Sequence, residues 1–162
     1  MTGGAEGIDT VEDLLGARQI IEESSAEQYE ELADSFEMSN NVETAEVFKW
    51  LAEWEGEHLM SAANGAPPPG FQWFVYDPGD PEAVHYLMRP YHAWEIALTN
   101  EERSLAFFQA VAERTSGDVR DLAWQLAERE QEHVRLIRDR LAATPEPEPG
   151  WDDDLDPPNY DM

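Results

Sequence analysis

Ala52–Leu59 reads AEWEGEHL, and Ala127–Val134 reads AEREQEHV. Five of the eight positions are identical, and the last is apolar in both. Each copy carries Glu-x-x-His, Glu55 with His58 and Glu130 with His133. On a helix this spacing is one turn along one face, so each carboxylate and its imidazole can reach a common point.

The stretches upstream repeat as well. IIEESSAEQYEELA (20–33) aligns with TNEERSLAFFQAVA (99–112), matching Glu22 to Glu101 and Tyr29 to Phe108. The chain is an internal duplication of about 50 residues per copy. Apolar residues at helical spacing predict a first helix over 11–36, opened by Asp9 or Thr10 as N-cap. Ser39-Asn40-Asn41 ends it, and a second helix is expected over 42–63. NGAPPPGFQWFVYDPGDP then predicts turns around an extended piece at 72–76, with a short helix at 82–87. A third helix is expected over 90–114, opened by Pro90, and a fourth over 119–142 after Ser116-Gly117-Asp118.

The expected fold class is all-α: a four-helix bundle of two helix pairs, with a long crossover between helices two and three that lets those two run parallel. Residues 1–8 read as a flexible lead, 9–143 as the bundle, and 144–162 as an acidic, Pro-rich disordered tail.

Helical register places four carboxylates inside apolar stripes. Glu22 lies seven residues after Leu15 and seven before Tyr29. Glu101 lies seven after Trp94 and four before Leu105. Glu130 lies four after Leu126 and seven before Ile137, with His133 on the same side. His58 falls between Leu51 and Ala62, with Glu55 at the stripe's edge. A buried, unpaired carboxylate costs several kcal/mol or takes up a proton. Four of them facing one another require cations, and two divalent ions supply the matching charge. The candidate metal ligands are therefore Glu22, Glu55, His58, Glu101, Glu130 and His133. This is the dinuclear carboxylate pattern of helix bundles that supply one Glu from each of two helices and Glu-x-x-His from the other two.

Composition narrows the chemistry. There is no cysteine among the 162 residues, which removes disulfides, thiolate metal sites and cysteine nucleophiles. A net charge of −26 opposes binding to nucleic acid or to anionic membrane. Adaptation of the surface to a salty medium and attraction of cations both account for it. MTGGAEGIDT has neither the basic nor the apolar region of a signal peptide, and no apolar run is long enough to span a membrane. A cytoplasmic location is expected.

On these residues, over roughly 10–142, the chain resembles ferritin-like diiron proteins, most of all the helical domain of rubrerythrins. The resemblance implies two iron ions, with manganese as the alternative. Glu22 and Glu101 correspond to terminal or bridging carboxylates, Glu55 and Glu130 to bridging ones, and His58 and His133 each cap one metal. It further implies reduction of hydrogen peroxide, or oxidation of Fe(II) by peroxide or dioxygen. Tyr29 is a candidate donor or radical sink beside the metals; the plainer alternative is a core tyrosine with its hydroxyl bonded. Three features depart from the family. Rubrerythrins carry a further Glu where this chain has Ser104, and Ser25 is its counterpart in the first copy. There is no cysteine-rich rubredoxin module, so electrons are expected from an external donor protein or from Fe(II) itself. No fifth helix is read after the fourth, which weakens the analogy to cage-forming ferritins. The aromatic crossover is expected to cover the bundle or a seam between the two subunits of a homodimer. Iron storage without turnover, and a metal-free helical scaffold, are the competing readings.

Overall fold

The computed structural model describes residues 4–61 and 64–153. Four long helices make up the bundle: α1 (Val11–Met38), α2 (Val42–Met60), α3 (Pro90–Arg114) and α4 (Gly117–Ala142). The main packing is α1 on α2 and α3 on α4, as the duplication requires. Thr10 caps α1 through a reciprocal box. Its hydroxyl accepts from the Asp13 amide at 3.0 Å, and the Asp13 carboxylate accepts from the Thr10 amide at 3.1 Å. Such a cap contributes about 1 kcal/mol. Asn40, at φ 60°, makes the tight turn into α2 in a conformation that asparagine tolerates better than most residues.

The crossover after α2 is fixed by hydrogen bonds that also set the helix directions. The Ala66 amide donates to the Glu12 carbonyl, so the end of α2 returns to the start of α1 and the two run antiparallel. At Gly16 the crossover backbone presses on α1; an added Cβ would come within 2.1 Å of the Pro67 nitrogen. Further along, Gln28 donates to the Trp73 carbonyl at 2.9 Å and accepts from the Val75 amide at 2.7 Å. Finally Asn41 Nδ2 and Thr44 Oγ1, at the start of α2, donate to the Met88 carbonyl just before α3. Helices α2 and α3 therefore begin at the same end and run parallel.

Two sequence expectations differ from the fold in detail. Residues 82–87 form turns rather than a short helix. The Asp80 carboxylate accepts from the Glu82 amide and His85 Nδ1 from the Leu87 amide, and these side chains compete with the backbone bonds a helix needs. Residues 72–76 form no strand among the described residues; Val75 and Tyr76 make a bend, and backbone groups of Trp73, Phe74 and Val75 are met by side chains of α1 and α3. Within the lead, Ala5–Gly7 form one 3-10 turn and Ile8 is fully buried, with Arg114 donating to the carbonyls of Ala5 and Ile8. In the acidic tail, Trp151 packs on His92 with ring centroids 4.0 Å apart. Asp154 to Met162 lie outside the described residues.

The core falls into two apolar clusters. One contains Leu14, Ala17, Ile21, Trp73, Phe107, Phe108, Val111 and Leu126. The other contains Tyr29, Leu32, Phe36, Phe48, Leu51, Trp94, Ala97 and Ile137. Along each of α1, α3 and α4 a buried glutamate lies at the boundary between the clusters: Glu22, Glu101 and Glu130.

Candidate metal centre

Each helix carries one glutamate among its buried residues: Glu22 on α1, Glu55 on α2, Glu101 on α3 and Glu130 on α4. Glu22, Glu55 and Glu101 are each 3% exposed, and Glu130 is 6%. His133 Nδ1 lies 3.4 Å from Glu130 and 3.8 Å from Glu101, and His58 Nδ1 lies 4.0 Å from Glu55. The two imidazoles stack nearly parallel, with centroids 4.3 Å apart. Glu101 is within hydrogen-bonding reach of both Glu55 and Glu130. Of the six side chains named from the register, Glu101, Glu130 and His133 come together most closely, the stacked imidazoles join His58 and its neighbour Glu55 to them, and Glu22 is buried on α1 against Arg18.

The electrostatics follow from burial. Removal from water holds the Glu55 and Glu101 carboxyls well above the ordinary carboxylate range, and the charges of their neighbours add to the effect. Burial raises Glu22 as well, against the pull of the adjacent Arg18 guanidinium. His58 is pushed down to about 4, first by burial and then by the neighbouring His133, so its imidazole is neutral and available as a ligand.

The donors fit a metal. Glu22 Oε2, Glu101 Oε1, Glu130 Oε2 and His133 Nδ1 are buried with no hydrogen-bond partner among the described residues. Buried polar atoms are ordinarily satisfied. Ligand atoms bound at about 2.0–2.2 Å lie roughly 3–3.5 Å from their nearest neighbours, close to the observed contacts. Glu101, Glu130 and His133 offer atoms all within 4.8 Å of one another and can hold a metal ion. A set of carboxylates and imidazoles suits a divalent metal ion.

The surroundings contain features that register alone does not give. Arg18, one turn before Glu22, is 8% exposed and donates from Nε to Glu22 Oε1 at 2.9 Å. The signal was present as an i, i+4 Arg–Glu pair, but in a Glu-rich chain such pairs are common on solvated faces. Trp54 meets the edges of both imidazoles, at 4.6 Å from His58 and 5.0 Å from His133. Beside it opens a groove of about 460 Å³ lined by Trp54, His133, Arg135, Leu136, Asp139 and Arg140 among others. On the opposite side lies a buried polar knot. Asn100 accepts from Trp73 Nε1 at 2.8 Å, and its Nδ2 lies 3.1 Å from both Ser25 Oγ and the Tyr29 hydroxyl. Tyr29 is fully buried and stacks on Phe48, and the charges of Glu101 and Glu55 help hold its phenol protonated. Ser104, where rubrerythrins carry a further carboxylate, is fully buried and its hydroxyl finds no partner among the described residues. His92 does not join the centre; its Nδ1 accepts from the Arg89 amide at the start of α3. His85 stays in the crossover, stacked on Tyr86.

Among the described residues no helix is long and apolar enough to cross a membrane. No protein-family model and no curated protein sequence matches the chain. A crystal structure of an uncharacterized conserved protein from Magnetospirillum magnetotacticum MS-1 is similar to it, at 30% sequence identity and a TM-score of 0.64, covering 86% of this chain and 98% of that one. With four helices in two packed pairs and a layer of carboxylates between them, the chain belongs to the conserved family of that protein, and its fold is the ferritin-like four-helix bundle.

Proposed function

We propose that the protein is a rubrerythrin-like dinuclear metal enzyme, with two iron ions as its cofactor and manganese as the alternative. It reduces hydrogen peroxide, or oxidises Fe(II) with peroxide or dioxygen. The observation that carries this reading is the set of buried carboxyls and imidazoles itself, four of whose donor atoms have no hydrogen-bond partner among the described residues.

In this reading Glu22, Glu55 and His58 hold one ion, and Glu101, Glu130 and His133 the other, with Glu55 and Glu130 reaching toward both. Two Fe(II) ions, when bound there, would supply the two electrons needed to convert one hydrogen peroxide and two protons into two waters. Burial biases the Glu55 and Glu101 carboxyls toward their protonated forms, and binding as ligands releases any proton they carry. Trp54 holds the two imidazole rings in place, and the groove beside it admits a small oxidant. The neutral state of His58 keeps an extra positive charge out of the layer. The Tyr29 hydroxyl, tied to Asn100 and within the influence of the Glu101 and Glu55 charges, serves as a donor beside the metals. The protein takes its electrons from an external donor protein or from Fe(II) as substrate. It acts as a cytoplasmic homodimer, without nucleic acid or membrane as a partner.

The test is anaerobic loading with Fe(II), followed by peroxide. About two Fe per chain and oxidation of both by one peroxide are expected. Glu55→Ala and His133→Ala should each abolish tight binding of at least one ion. Normal loading of both variants would remove the site assignment. Binding of two ions with no turnover would leave storage as the function, and no binding at all would leave a scaffold.

A further inference from the structure

The duplication makes the two halves of the centre comparable position by position, and one position breaks the symmetry inside the layer. Four residues before Glu22 stands Arg18; four residues before Glu101 stands Ala97. Ala97 is fully buried and carries no charge. Arg18 is also buried, and its Nε is bonded to Glu22 Oε1 at 2.9 Å. Its Nη2 is enclosed and has no partner among the described residues. One half of the centre therefore already contains a cation, fixed by the fold and permanently charged. Among the described residues the corresponding position of the other half supplies none, and three donor atoms there, on Glu101, Glu130 and His133, have no hydrogen-bond partner.

We propose that Arg18 makes the two metal positions unequal, so that a divalent ion fills the Glu101–Glu130–His133 half first and binds the Glu22–Glu55–His58 half more weakly, against the Arg18 charge. The inference rests on the metal reading above. With all four carboxyls ionised and Arg18 present, the layer carries three negative charges. The first divalent ion leaves one. The second meets that single remaining charge, beside a guanidinium that repels it and already occupies one oxygen of its Glu22 ligand. In a centre with Ala in both copies the second ion would meet two negative charges and a free carboxylate. Arg18 thus acts through Glu22 as a positioning residue: it stabilises the half-filled centre and sets the metal concentration at which the pair is completed.

The test is anaerobic titration of the full metal-free chain with Co(II), read by calorimetry and by the visible absorption of bound Co(II). The wild type is expected to show two steps at least about tenfold apart in affinity, a difference of about 1.4 kcal/mol. Glu101→Gln should remove the tight step, and Glu22→Gln the weak one. Arg18→Ala, which copies the other half, should tighten the weak step until the two lie within about threefold, or about 0.6 kcal/mol. Equal steps in the wild type, an unchanged separation in Arg18→Ala, or loss of the tight step in Glu22→Gln would each overturn the proposal. If Arg18→Ala does not fold, the two glutamate variants decide alone. No Co(II) uptake by the wild type would instead refute the dinuclear reading itself.

Discussion

Replacing Glu101 with glutamine should stabilise the metal-free protein and remove most of its response to metal. Glu101 is 3% exposed, its Oε1 has no partner, and it lies within reach of Glu55 and Glu130. Above neutral pH the wild-type layer must either keep protons on these carboxyls or hold their charges close together. Glutamine preserves the shape, removes one charge and supplies an amide that donates to both neighbours. A buried polar group left unsatisfied costs about 1–3 kcal/mol. For a chain of this size about 1 kcal/mol corresponds to roughly 2–4 °C, so the metal-free midpoint should rise by about 2–12 °C at pH 8. Metal at a hundred times its dissociation constant stabilises the wild type by about 2.7 kcal/mol, or roughly 5–11 °C, and glutamine should remove most of that shift. Differential scanning calorimetry with and without Mn(II) reads both numbers, and the exposed Glu113→Gln serves as the control. A metal-free midpoint that stays put or falls, with the metal shift intact, would refute the idea that the carboxylate layer is held at a cost to stability for the sake of binding.

Further expectations follow from the same geometry. In the metal-free protein Glu55 and Glu101 keep their protons far beyond the ordinary value of 4.5, so the folded state binds more protons than the unfolded chain and stability falls as pH rises above that value. His58, lowered from 6.5 to about 4, gives the opposite slope only between those values, so the melting temperature should decline from pH 6.5 upward. Saturating metal should abolish the decline, and a flat profile without metal would contradict the burial argument. Trp54→Ala frees both imidazole rings and should weaken metal binding by about tenfold, measured by competition with a chelator. Asn100→Leu strips the partners from Trp73 Nε1 and the Tyr29 hydroxyl and should cost about 2–4 kcal/mol in urea unfolding at unchanged m-value. A loss below about 1 kcal/mol would mean that water enters and replaces the amide.

The features legible in the sequence share a physical basis. Helix periodicity is local, so the register of Glu22, Glu101 and Glu130 against their own apolar neighbours predicts an inward face without knowledge of the partner helix. The repeat supplied a second, independent copy of each spacing. Helix ends were read from chemistry that acts within a few residues, such as the Thr10 and Asp13 box. The misread at 82–87 comes from the same short range. Its residues permit a turn of helix, and what decides against it is the pair of side-chain bonds from Asp80 and His85, in a chain whose end is tied to α2 by Asn41 and Thr44.

By itself the sequence determined four helices in two repeated pairs, the long crossover, and the inward direction of six ligand-type side chains, because each of these depends on angles and spacings within one element. Only the tertiary structure decided what stands around them. That Arg18 turns inward to Glu22 rather than outward to water, that Trp54 touches both imidazoles, and that Asn100 joins Ser25, Tyr29 and Trp73 are outcomes of distance between helices. A charge or an indole has no fixed role along a single helix; the packing of its neighbours sets its solvent exposure and its partners, and these fix its energy.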